Sequence, residues 1–306
     1  MKLIILGCNA ATPRKNAQTT AQLLEVNGQM VLIDCGEGTQ MQLRKLGIKF
    51  ARIQHIFISH LHGDHFYGLI GLISTFRLLG RTADLNIYGP KGIKEVITLQ
   101  LKLANSWTDY PLHFHELESK ESEVILEHEK FSVTTLPLDH RVYTNGFLIR
   151  ETPKQRKINK AAVDHYGIDL ADMNNLKNGK DILLEDGTLL PNAALTLDPD
   201  PPMSYAFCSD TAYKPELANW VKGVTCLYHE ATFLDSHQDL AIKTKHATAA
   251  EAAKIAAAAG AQQLILGHFS SRYSNLNEFV IQAQDHFQNV QLAKDGKQFD
   301  LHDSSR

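Results

Sequence analysis

Between residues 60 and 65 the chain reads His-Leu-His-Gly-Asp-His, and no other stretch limits its possible folds so tightly. Neutral imidazoles and ionised carboxylates are the nitrogen and oxygen donors that zinc and similar divalent ions prefer. His60, His62, Asp64 and His65, crowded into one short loop, would carry a heavy desolvation cost in an apolar core. Gly63 is expected to let the backbone turn sharply, so that side chains on both sides converge. A chance cluster of surface histidines is the plain alternative. A metal site accounts for the composition better.

Four apolar runs stop at a possible ligand. His55 to His60 reads as a buried strand whose last residue is the first ligand. Phe131 to Leu138 leads into Asp139 and His140, Tyr205 to Cys208 into Ser209 and Asp210, and Leu264 to Leu266 into Gly267 and His268. Strands rich in Val, Ile, Phe and Leu that end at His or Asp place those groups along one rim of a sheet. Any one of them alone would be a core histidine or a turn aspartate. Together they supply seven candidate ligands, enough for two metals that each keep an open position.

Composition sets outer bounds. A chain of 306 residues, 43% hydrophobic and 21% charged, is that of a soluble globular protein. A formal net charge of −3 argues against non-specific coating of nucleic acid, so RNA binding would need a local basic patch. No apolar run approaches the roughly 20 residues of a membrane span, and no membrane partner is expected. Leu3 to Leu6 before Cys8 is too short for the ~7–15-residue core of a signal peptide and reads as an opening strand. Cys8, Cys35, Cys208 and Cys226 show no C-x-x-C spacing, and nothing calls for an oxidising compartment. The expected location is the cytoplasm.

Strands are expected at Leu3–Leu6, Ala21–Val26, Met30–Ile33, His55–Ser59 and Leu85–Tyr88. Helices are expected from Gly38 to Leu46 with Met41, Leu43 and Leu46 on its apolar face, from Phe66 to Leu79 as a buried helix, and from Gly92 to Asn105. The second half repeats the scheme and ends in an Ala-rich helix from Thr248 to Ala259, stopped by Gly260, before the strand Leu264–Leu266. Thr248 with Glu251 matches a capping box. This order supports α/β. From about residue 150 to 200 the pattern lapses. Its first part, Arg150 to Lys160, holds five basic residues and one acid, which by itself reads as a solvated charge run.

His-x-His-x-Asp-His, followed at long intervals by His140, Asp210 and His268, resembles the metallo-β-lactamase superfamily pattern. Within it the chain is similar to ribonuclease Z, the tRNA 3′-processing endonuclease family. Three stretches carry that match: Phe57 through Leu69, Leu32-Ile33-Asp34-Cys35-Gly36-Glu37-Gly38-Thr39-Gln40, and His229-Glu230-Ala231-Thr232-Phe233. The resemblance runs from Leu3 to about Tyr273. It implies a four-layer αββα sandwich in a single domain, 1–306, with an inserted arm at about 150–200 that grips tRNA. Lys154, Arg156, Lys157 and Lys160 would be its phosphate contacts. Where the family's arm carries a Gly/Pro-rich tip, this chain has Tyr166 to Asp172.

Carried over residue by residue, the resemblance implies two Zn²⁺ ions and no organic cofactor. His60, His62 and His140 would hold one ion, Asp64, His65 and His268 the other, and Asp210 would bridge them. A metal-held hydroxide would attack phosphorus, leaving a 3′-hydroxyl on the tRNA and a 5′-phosphate on the trailer. Asp64 would take the proton of the bridging water. His246, oriented by Glu230, would protonate the leaving oxygen; without the resemblance it would be a residue at a helix start. His229 and Asp34 are expected to support rather than ligate. Arg14 and Lys15 are candidates for the RNA 3′ end, or an exposed loop without function. His55, His113, His115, His128, His165, His237, His286 and His302 are treated as surface or packing residues. The implied partners are a tRNA precursor and a second copy of the chain in a homodimer.

Other functions stay open at this point. A small-molecule phosphodiester or other ester hydrolase would use the same metal pair without needing the arm or the His246 and Glu230 pair. A di-iron redox protein would favour more carboxylate ligands and an added flavin domain. A non-enzymatic RNA-binding relative would lack ligands.

Overall fold

In the strand Lys2–Gly7, Leu3 and Ile5 face one way and Ile4 and Leu6 the other, and all four are buried. Strands covered on both faces read as continuous apolar runs, which is why the sequence shows runs rather than clean alternation. The computed structural model describes residues 1–12, 15 and 17–301.

The larger unit, residues 1–151 and 203 onward, contains two seven-stranded sheets. In the first the order is Gln298–Asp300, Lys2–Gly7, Ala21–Val26, Gln29–Ile33, Ile53–Phe57, Leu85–Pro90 and Leu112–Leu117. In the second it is Val290–Leu292, Gln263–Gly267, Cys226–Glu230, Ser204–Cys208, Asn145–Glu151, Phe131–Pro137 and Val124–His128. Each sheet joins an antiparallel half to a parallel half.

Three apolar clusters define four layers. Leu3, Ile5, Phe57 and Tyr88 of the first sheet meet Phe131, Phe147, Tyr205 and Tyr228 of the second. The outer face of the first sheet packs Leu6, Leu32 and Ile56 against helical Leu43, Leu72, Phe76 and Ile97. The outer face of the second packs Ala206, Leu227 and Leu264 against helical Leu217, Ala252, Ala256 and Phe279. Small alanines let the helix Ala249–Ala259 lie close to Asn277–Gln284. Its capping box, with Thr248 accepting from the Glu251 amide and Glu251 from that of Thr248, is formed. The αββα sandwich is thus the observed fold.

Some boundaries differ from expectation. The stretch Phe66 to Leu79 is not one helix but two, Gly63–Phe66 and Leu69–Leu78. The break falls at Gly68, whose amide donates to the Cys35 carbonyl; a Cβ there would lie 2.1 Å from the Gly36 oxygen. Leu78 is 85% exposed, so that helix is not buried on every side. Met41 likewise faces outward, whereas Leu43 is fully buried and Leu46 packs partly buried against the same cluster. Among the described residues no helix is long and apolar enough to cross a membrane.

The smaller unit, Thr152–Pro202, has its own apolar cluster of Val163, Leu176, Ile182, Leu190 and Leu195. Two short strand pairs, Lys157–Ile158 with Thr196–Leu197 and Ile182–Leu183 with Leu189–Leu190, pin it. The sequence pattern lapses here because two-residue strands are too short to show any period. Tyr166 closes the helix Lys160–Tyr166, with Gly167 at φ 64° as its cap.

Candidate metal centre

Every expected ligand sits just beyond the C-terminal end of a strand. The first strand of the set ends at Phe57, not at His60. It stops because the Ser59 amide leaves the ladder to donate to Asp34 Oδ1 at 2.7 Å. His60 and His62 follow in the loop, and Asp64 and His65 lie on the helix Gly63–Phe66. Gly63 opens that helix without a positive φ. What it supplies is room, since a Cβ would meet the Tyr67 ring at 2.3 Å. His140, Asp210 and His268 follow Phe131–Pro137, Ser204–Cys208 and Gln263–Gly267.

These seven residues converge. The ligand atoms of His60, His62, His140 and Asp210 lie within 4.8 Å of one another, as do those of Asp64, His65 and His268. Asp210 stands between the two sets. Its Oδ2 is 3.7 Å from His60 Nε2 and 3.8 Å from His140 Nε2. Its Oδ1 is 3.3 Å from His65 Nε2 and 3.1 Å from His268 Nε2. His60 Nε2 and His62 Nδ1 approach to 2.9 Å.

The outer ring nitrogens are occupied, and that aims the inner ones. His65 Nδ1 donates to Asp34 Oδ2 at 2.6 Å and His140 Nδ1 to the Lys245 carbonyl at 2.9 Å. His268 Nδ1 lies 3.0 Å from the Thr232 hydroxyl, and His60 Nδ1 3.0 Å from that of Ser59. With Nδ1 donating, the Nε2 lone pair points inward, as metal-bound imidazoles require. The Nε2 atoms of His65, His140 and His268 are buried without a hydrogen-bond partner. In their neutral form these are orphaned acceptors, costly at that depth, and divalent cations are the groups that would satisfy them. The donor set therefore fits a metal.

Electrostatics agree. Burial alone would raise the Asp210 carboxyl, but His268, His65 and His60 outweigh it and hold it well below the usual range. Burial likewise opposes ionisation of Asp64, and His268 and His65 overcome it. The His65 imidazole is lowered by burial but raised further by Asp210 and Asp34, so without metal it keeps its proton. A metal held by His65 would have to displace that proton. Backbone strain gathers here as well. Asp34, Asp210, Lys245 and His268 adopt φ of 57–60°, the left-handed region that costs most residues energy.

Glu230 and His246 meet beside the ligands. His246 Nδ1 is 2.7 Å from Glu230 Oε1, and Glu230 is held in turn by the Thr211 amide at 2.8 Å and the Thr232 hydroxyl. Burial lowers the His246 imidazole, but Glu230 raises it further, to about 9. One His246 nitrogen also lies within 4.8 Å of Asp210 and His268 ligand atoms. His229 is buried on the same strand as Glu230, its Nδ1 on the Glu230 carbonyl at 2.7 Å.

The remaining expected residues lie elsewhere. Lys15 is exposed, and Arg14 and His302 fall outside the described residues. Lys154 and Lys160 are exposed on the smaller unit. Arg156 pairs with Asp198 and bonds Thr196, and Lys157 reaches Asp200 at 3.1 Å, so both are engaged within that unit. Sequence reasoning missed Ser59, Thr232 and Lys245. Hydroxyls and a backbone carbonyl have no metal-ligand signature, and only adjacency to His60, Glu230 and His246 hinted at them. Because Asp34 fixes both Ser59 and His65, Asp34→Asn is expected to weaken metal affinity about 10–100-fold. Competition against a chelator measures it, and an unchanged affinity would remove Asp34 from this support.

The family model described as anti-Pycsar protein Apyc1 matches residues 1–299. A ribonuclease Z of Bacteroides fragilis is 45% identical over 294 residues, covering 96% of this chain and 97% of that protein. Among solved structures, the short form of human tRNase Z superposes with a TM-score of 0.73 at 27% identity, covering 99% of this chain and 100% of that one. The metallo-β-lactamase fold protein YhfI from Bacillus subtilis, at 20% identity, 97% of this chain and 98% of its own, gives 0.67 and supports the fold. The chain belongs to the ribonuclease Z family, and the Apyc1 family model spans the same metallo-β-lactamase fold.

Proposed function

We propose that the protein is a zinc-dependent endoribonuclease that removes the 3′ trailer from tRNA precursors in the cytoplasm. The cut leaves a 3′-hydroxyl on the tRNA and a 5′-phosphate on the trailer. The observation that carries this reading is the Asp210 carboxylate set between two donor groups, in a chain 45% identical to a named ribonuclease Z.

His60, His62 and His140 would hold one Zn²⁺, Asp64, His65 and His268 a second, with Asp210 shared. A bound pair supplies Lewis acidity toward a phosphodiester oxygen and lowers the pKa of a water. Asp64 is ionised, the form a proton acceptor needs, though its strong stabilisation makes it a weak base whose larger part is orientation. His246, charged through Glu230, holds the proton for the leaving 3′-oxygen. Its Nδ1 is fixed on the carboxylate, so Nε2 is the donor.

The smaller unit supports tRNA binding through exposed Lys154 and Lys160. Between residues 152 and 202, however, eight acids outnumber six basic residues, which favours keeping a small phosphodiester as a second substrate class. A homodimer is supported by exposed Met41, Leu78, Leu99 and Leu103, on helices that neighbour one another over the first sheet. Incubation with a tRNA precursor and mapping of both ends decides the substrate. Fragments ending away from the 3′ side of the tRNA body, or no cleavage, would reject the reading.

Three outcomes test the site and a fourth tests the smaller unit. Asp210→Ala should lose both ions and activity together, as elemental analysis reads. One ion retained would end its shared role. His246→Ala should lower turnover about 10²–10⁴-fold with zinc intact; loss of zinc would make it a ligand instead. In the wild type, activity should be present while His246 is protonated and fall on the alkaline side as it loses that proton. Removing the Glu230 charge leaves burial to lower that imidazole, so Glu230→Gln should move the alkaline limb to lower pH. Finally, replacing Lys154, Arg156, Lys157 and Lys160 with Ala should flatten the salt dependence of precursor binding. The change should be up to about 0.9 per lost contact, most of it from Lys154 and Lys160. An equal fall in cleavage of a small phosphodiester would mean that the segment supports the fold.

A further inference from the structure

Two hollows each include one candidate ligand in their lining. A small one, about 270 Å³, is lined by Asp64, Glu37 and Tyr67. The other, about 820 Å³, begins at His140 and runs out past Val142, Tyr143, Tyr213 and Lys214. Two chains leave every phosphodiester, and the larger hollow is within the size range of sites for flat organic ligands.

Its walls say which part of a nucleotide belongs there. Lys120 and Lys214 bring positive charge, Asp139 and Glu216 negative charge, and the four nearly cancel. Asp139 is also paired with Lys245 at 3.0 Å, and Lys214 is held on the Pro137 carbonyl at 2.7 Å, above the Trp220 ring. A further phosphate gains little from such a balance. A flat uncharged ring gains more, because Tyr213 is 40% exposed and Val142 41% exposed at this hollow. Deeper in the wall, Tyr143 donates its hydroxyl proton to the Ser119 carbonyl at 2.8 Å. The Tyr143 oxygen can then only accept, from Asn145 Nδ2 at 2.9 Å. That fixes the Asn145 amide and leaves its Oδ1, buried and without a hydrogen-bond partner, as an acceptor awaiting a donor.

We infer that this hollow is a nucleobase subsite, in which the base of a nucleotide next to the scissile phosphate stacks on Tyr213. The inference rests on the endonuclease reading and adds where one base goes. Stacking on an aromatic side chain tolerates any base, so the subsite positions the phosphate without dictating sequence.

The test is a cycle between Tyr213 and the substrate, using the zinc-loaded full chain and short RNAs that span the cleavage site. Tyr213→Ala should lower kcat/KM roughly 5- to 150-fold, the usual worth of one stacked base, and Tyr213→Phe should stay within about two-fold of wild type. Zinc content should match wild type in both. RNAs made abasic on the 5′ or the 3′ side of the cut name the base, because the Tyr213→Ala penalty should vanish for one of them. A penalty that persists on both abasic RNAs, or no penalty at all, overturns the subsite. If Tyr213→Ala does not fold, wild type alone decides, since removing the correct base must cost the same factor. If wild type cuts no RNA, the endonuclease reading has failed. The hollow is then tested by comparing nucleoside and methyl esters of p-nitrophenyl phosphate. A preference for nucleoside that Tyr213→Phe keeps and Tyr213→Leu loses supports the subsite, and no preference overturns it.

Discussion

The Asp210 carboxylate meets four imidazoles through its two oxygens, His60 and His140 on one side and His65 and His268 on the other. An ionised carboxylate that deep is tolerated only when opposite charge or donors surround it. The rest of the larger unit is arranged to deliver them. Ligands come from both sheets, so the sandwich must close correctly before any donor set exists. Asp34, Lys245 and His268 accept left-handed backbone along with Asp210, a combined cost that the packed strands beneath must outweigh. Strand ends suit this task, because their side chains are held by a rigid ladder while their last residues are free to turn.

How much of this was legible in the chain depends on whether a signal is chemical or geometric. The convergence of the seven candidate donors was legible because imidazoles and carboxylates placed at or soon after the ends of apolar runs are rare without purpose. The hydroxyl of Thr232, which faces Glu230, His246 and His268 at once, was not. Threonine at a strand end is ordinary, and its role exists only after three separate segments meet. Asp34 lay between: its place at the end of Met30–Ile33 suggested support, but its partners Ser59 and His65 are set by the parallel pairing of two strands.

Helix extent failed for a related reason. Phe66 to Leu79 has no proline and abundant apolar residues, and its two glycines are only a weak local sign of a break. The break arises because Gly68 must approach the Cys35–Gly36 backbone, a tertiary demand. The smaller unit misled through charge order. Its first residues are basic, yet Asp198 and Asp200 return to pair with Arg156 and Lys157 once two short strands bring the ends together. Local composition cannot show a partner forty residues away.

Net charge carries the same lesson. The formal −3 of the chain includes Asp34, Asp64, Asp210 and Glu230, all buried or nearly so at one place. As carboxylates alone they would repel a phosphodiester at the point where it must sit. Five ligand imidazoles oppose them only in part, since burial keeps His60 from taking a proton. Two dications at the proposed positions would bring four positive charges against these four carboxylates, and protonated His246 would then leave the centre slightly positive. On that reading metal serves binding as well as chemistry. The chain can be acidic overall and still present RNA with an attractive centre, provided that the attraction is concentrated where cleavage occurs.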